Sequence, residues 1–123
     1  MSKVTLTLPF PPSVNSLFGG GSKQQRFPSK KYKEWQKSCP ELPKLGMMYV
    51  HANLGFYFPD ARARDLDNHT KAVFDYLVKH GVIVDDCFEY LSKITIESCG
   101  IDRISPRVFV TLEEQPRPYN ART

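Results

Sequence analysis

The chain reads as an α+β domain, one mixed β-sheet with two helices packed on a single face. Three observations predict this. Residues 48–58 form the clearest strand pattern, with Met48, Val50, Ala52, Leu54, Phe56 and Phe58 alternating along one side. From Leu66 the period changes to 3.6, and Leu66, Thr70, Val73, Phe74 and Leu77 share one helical face. Around these two elements the patterns run β, α, β, α, β, β, for which a sheet covered on one side is the simplest packing.

Each element has a local reason. Val4, Leu6 and Leu8 alternate with Thr5 and Thr7, a first strand that ends at Pro9. Pro9, Pro11 and Pro12 remove donors and fix the backbone, so Pro9 to Asn15 is a rigid turn. It leads to Gly19-Gly20-Gly21-Ser22, a flexible polar linker without the GK[ST] ending of a phosphate-cradling loop. Ser29 is placed to cap a short basic helix with Tyr32, Trp35 and Cys39 on its inner face, and Pro40 stops it. Pro40 to Gly46 reads as a connection. Pro59-Asp60 ends the long strand, and Gly81 after His80 ends the second helix. Val82 to Val84 are expected to form a brief buried strand running into Asp85-Asp86. Ile94 and Ile96 mark a further strand, and Val108, Val110 and Leu112 another. From Pro116 to Thr123 a poorly ordered tail is expected, and residues 1–123 are expected to be a single domain.

Composition narrows the function classes. With 41% hydrophobic and 24% charged residues the chain is of ordinary globular type. No apolar run approaches the roughly 20 residues of a membrane span, and the N-terminus lacks the apolar core of a signal peptide, so a cytoplasmic location is expected. Cys39, Cys87 and Cys99 are widely spaced with no CxxC pair, which argues against a disulfide framework and a zinc site and leaves them as buried or idle thiols. The net charge is +4, unevenly spread: Ser22 to Lys37 holds six basic residues (Lys23, Arg26, Lys30, Lys31, Lys33, Lys37) against Glu34. Such a patch favours a phosphate-rich partner.

The chemistry concentrates around the second helix. Asp65 and Asp67 are two apart, so extended backbone points both carboxylates to one side, whereas a helix interior splays them. They therefore belong where a loop turns into a helix. Asp85 and Asp86 follow one helix length later. Clustered carboxylates repel unless neutralised, and a hard oxygen-seeking cation such as Mg2+, for which Mn2+ can substitute, does this. Asp65, Asp67 and one of Asp85 or Asp86 are thus candidate metal ligands. Lys71, one turn inside the helix, is placed to reach a phosphate oxygen, and Arg62 and Arg64 to grip neighbouring phosphates. Taken singly these residues have plainer explanations: a helix cap, a turn pair, or an exposed ladder of Lys71 with Asp67 and Asp75. The set as a whole is better explained by metal-assisted phosphoryl chemistry. His51, His69 and His80 are scattered; His69 is close enough to assist, although a surface role is expected. Nothing calls for an organic cofactor.

The segment Arg64-Asp65-Leu66-Asp67-Asn68 with Lys71, followed by Val84-Asp85-Asp86, resembles the RusA-type Holliday junction resolvases of bacteria and their phages. The opening strand with Leu8-Pro9-Phe10-Pro11-Pro12-Ser13-Val14-Asn15, and Lys71-Ala72 with Phe74-Asp75 in the helix, are similar to that family too. The resemblance implies that Asp65, Asp67 and Asp86 are the catalytic carboxylates, with Asp85 a further candidate ligand. It also implies that Lys71 is the active-site lysine and Arg64 its neighbouring arginine. It implies a Mg2+-dependent homodimer that makes paired symmetric incisions in four-way DNA during recombination and repair. From the charge pattern, DNA contacts are expected from Arg62, Arg64, Lys30, Lys31 and Lys33. A two-fold substrate suits two sites related by a two-fold axis. The competing readings are a branched-DNA-binding protein that does not cut, and a metal nuclease for flaps or plain duplex.

Overall fold

The computed structural model describes residues 2–19 and 27–117. Among them, six strands, β1 (Lys3–Pro9), β2 (Phe18–Gly19), β3 (Phe27–Pro28), β4 (Val50–Phe58), β5 (Leu91–Ile101) and β6 (Arg107–Glu114), alternate with α1 (Lys30–Ser38) before β4 and α2 (Thr70–Lys79) after it. The α+β reading holds. The four longer strands form one mixed sheet in the order β1-β6-β4-β5, antiparallel except for the parallel pair β4 and β5 that α2 connects.

Register explains which face is covered. Leu8, Val108 and Phe56 align across three strands, as do Leu6, Val110 and Leu54, and then Val4, Leu112 and Ala52. Because side chains alternate along a strand, these residues share one face, and they join the core with Tyr32 and Trp35 of α1 and Ala72, Val73, Phe74, Tyr76 and Leu77 of α2. The Trp35 indole N–H donates to the Pro9 carbonyl (2.9 Å), and its ring meets Tyr76 edge-on, so both helices lie on that face. The other face carries Thr5, Thr111, Asn53 and Thr95.

Helix ends follow the expected chemistry. The Ser29 hydroxyl accepts from the Tyr32 N–H at 3.0 Å, and Cys39, forced to extended backbone ahead of Pro40, closes α1. At the end of α2, Gly81 takes φ 72°, its N–H donates to Val78, and the Val82 N–H donates to Leu77. That pair of bonds is the Schellman closure, and the left-handed backbone it needs suits glycine.

Several expectations change. Val82 to Val84 is not a strand: Ile83 makes one isolated parallel bridge to Met47, Val82 and Ile83 are buried, and Val84 is exposed. Three residues after a helix cap pair once and then turn away, which apolar content alone does not reveal. Met48 lies outside β4 and is exposed. The 3.6 period from Leu66 is in part a 3-10 turn, Leu66–His69, and Leu66 is exposed. The strand marked by Ile94 and Ile96 is 11 residues long and forms the sheet edge, so Ile94 is half exposed. The short β2–β3 ribbon and the 3-10 turn Val14–Ser16 have no sequence signal. Of the cysteines, Cys39 is half-buried and burial pushes its thiol up to about 12, as expected of an idle group, whereas Cys87 and Cys99 are exposed. The glycine linker from Gly20, the basic residues Lys23 and Arg26, and tail residues 118–123 lie outside the described residues.

Candidate active site

After β4 the chain runs irregularly through 59–65, and Asp60 organises that run. Its carboxylate accepts two hydrogen bonds from Arg64 (Nη1–Oδ1 2.6 Å, Nη2–Oδ2 3.1 Å) and one from the Arg62 backbone N–H (3.0 Å). The Arg62 Nε stands 3.6 Å away. These donors, the Arg64 guanidinium first, hold the Asp60 carboxyl far below the usual carboxylate range, and Asp60 in turn raises Arg64. The Arg64 side chain is 13% exposed, and its guanidinium lies 5.8 Å from the Phe10 ring centroid.

Asp65 follows in extended backbone (φ −74°, ψ 132°) as the residue entering the 3-10 turn, and Asp67 sits inside that turn ahead of α2. The pair thus stands where loop becomes helix, as expected from its spacing. Neither carboxylate takes a hydrogen bond or ion pair from the described residues, and the same holds for Asp86. Asp85 is half-buried and accepts from the Asp86 backbone N–H at 2.8 Å, in the turn between Ile83 and β5. Lys71 pairs with Asp75 at 3.3 Å, with its side chain half exposed. Among the described residues no group of three or more His, Cys, Asp or Glu side chains is gathered closely enough to enclose a metal. The free carboxylates are nonetheless the hard, anionic oxygen donors that Mg2+ takes.

His69 differs from the surface role expected of it. It is buried, its Nδ1 lies 2.9 Å from the Pro11 carbonyl, and its ring contacts Phe10 at 4.7 Å between centroids. A carbonyl accepts only, so Nδ1 carries the proton. Burial first, then the positive charges of Arg64 and Lys31, push its pKa below the ordinary histidine value. The side chain therefore fastens the proline-rich segment to the acidic turn.

These parts border one cleft of about 800 Å³. Phe10 to Ser13 and Ser16 form one wall, Lys31 and Trp35 of α1 another, and Pro59, Asp60 and Arg62 to Asp65 with Asn68 and His69 the third. The fold brings Lys31, Arg62, Arg64 and Asp65 to this cleft. Asp67, Lys71, Asp85 and Asp86 do not line it, nor do Lys30 and Lys33, which are exposed elsewhere on α1, Lys30 beside Glu34 at 3.9 Å. Asp60 carries no sequence signal of its own, because a four-residue spacing marks an ion pair only on a helix, and 60–64 is not one.

Residues 9–113 match the family described as Endodeoxyribonuclease RusA. The chain therefore belongs to the RusA endodeoxyribonuclease family, enzymes that hydrolyse DNA internally. It is 33% identical over 92 residues to the crossover junction endodeoxyribonuclease RusA of Escherichia coli (strain K12), covering 70% of this chain and 76% of the relative. The same identity and coverage relate it to the crossover junction endodeoxyribonuclease of Enterobacteria phage 82. Among the described residues no helix is long and apolar enough to cross a membrane.

Proposed function

We propose that this family member resolves four-way DNA junctions as a Mg2+-dependent homodimer, making paired symmetric incisions. The observation that carries the reading is the cleft that joins Lys31 on the basic helix to Arg62, Arg64 and Asp65, in a chain whose relatives are named for cutting crossover junctions. Asp65, Asp67 and Asp86 would hold the metal, with Asp85 beside them. When bound, Mg2+ supplies an activated water and offsets charge on the scissile phosphate. Lys71 leaves its weak exposed pair with Asp75 to donate to a phosphate oxygen. Arg62, Arg64, Lys30, Lys31 and Lys33 bind the flanking strand as phosphate contacts, which position DNA without reading its sequence. Residues 1–123 act as one domain in the cytoplasm, where the substrate is.

A synthetic four-way junction with Mg2+ tests this. The wild type is expected to nick opposing strands in pairs, and Asp67→Asn to bind the junction yet cut at least about 100-fold more slowly. If both proteins bind and neither cuts, the enzyme reading fails. A panel of flap, duplex and four-way substrates that showed equal rates would remove junction preference.

A further inference from the structure

We infer that Asp60 is a positioning residue for cleavage, acting through Arg64. This rests on the reading of Arg64 as a strand-contacting group. An arginine at the rim of a DNA-binding cleft is ordinarily a long, mobile cation. Here Asp60 grips both terminal nitrogens of Arg64 in a two-pronged pair, which fixes the plane of the guanidinium. The Phe10 ring lies against it, and the side chain is 13% exposed. The two N–H groups that face Asp60 are committed. The guanidinium has five, so three remain for a phosphate, in a direction set before DNA arrives.

Asp60 also tethers the Arg62 backbone N–H and stands near its side chain. One carboxylate therefore sets the shape of 60–64 immediately before Asp65. A negative charge beside a DNA path weakens binding, so its presence makes sense as orientation and not as affinity. Two effects of its removal then separate. Releasing Arg62 and Arg64 strengthens attraction to DNA, while the loss of a fixed guanidinium direction slows the cut, because misplacement by about 1 Å can cost about 100-fold.

The test is a double-mutant cycle with Asp60→Asn and Arg64→Gln, measuring metal-free junction binding, its salt dependence, and single-turnover cleavage in Mg2+. Asparagine keeps one oxygen for the Arg62 N–H, removes the charge, and replaces the second oxygen that Arg64 grips with a donor that cannot accept from it. Asp60→Asn is expected to bind the junction more tightly, with a steeper salt dependence by about one phosphate contact, and to cut at least about tenfold more slowly. In the double variant no further slowing beyond Arg64→Gln is expected. Wild-type cleavage by Asp60→Asn, weakened binding together with a lowered melting temperature, or singles whose losses multiply in the double would each overturn the inference. If Arg64→Gln itself binds and cuts like wild type, the role assigned to Arg64 fails instead.

Discussion

Replacing Lys71 by glutamine should separate stability from activity. In the folded protein its ammonium pairs with Asp75 at 3.3 Å, one turn along α2, with side chains 50% and 29% exposed. The cation precedes the anion, the weaker order for a helical pair, and solvent screens both groups. The pair therefore contributes about 0.2–0.5 kcal/mol. For a chain of this size that is a fall in melting temperature of about 1–3 °C. The same ammonium facing a phosphate as charge builds is worth far more, and removing one such donor costs about 100- to 1000-fold in rate. The experiment pairs thermal melting with single-turnover cleavage of a four-way junction for Lys71→Gln and for Asp75→Asn. Asp75→Asn breaks the same pair but spares the ammonium, so its rate should stay within about threefold of wild type. Equal rate losses in the two variants would show that the pair, not the lysine's reach to DNA, matters. A near-wild-type rate for Lys71→Gln would remove the residue from the site.

Two further outcomes test the frame that carries the site. Gly81→Ala forces a side chain into φ 72°, costing about 1–2 kcal/mol. Its Cβ would meet Lys44 Cγ at 2.8 Å, near the base of that side chain, so Lys44 must move and adds to the cost; melting should drop by several degrees, and an unchanged value would contradict the Schellman closure of α2. His69 is held neutral by burial, so the unfolded chain binds a proton at a higher pH, near about 6.5, than the folded one does. Its contribution is complete above that value and is lost as pH falls from there toward the folded pKa. Melting temperature measured from pH 8 to pH 5 should decline less steeply in His69→Gln than in wild type, and parallel curves would refute the buried-neutral assignment.

The sequence alone determined the elements whose causes are local. Ser29 and Pro40 bound α1, Gly81 ends α2, and alternation in β1, β4 and β6 shows which residues face the core, because capping and periodicity act within a few residues. It also marked the turn bearing Asp65 and Asp67 and the family motif, since both are written in contiguous residues. Contacts between distant segments had to wait for the tertiary structure. Only packing decides that Lys31 shares a cleft with Arg62 and Asp65, and that His69 is buried against Pro11 and Phe10. Only the irregular path of 59–65 lets Asp60 clasp Arg64. These depend on how a sheet edge, a proline-rich segment and a helix converge, and one-dimensional spacing does not encode that convergence.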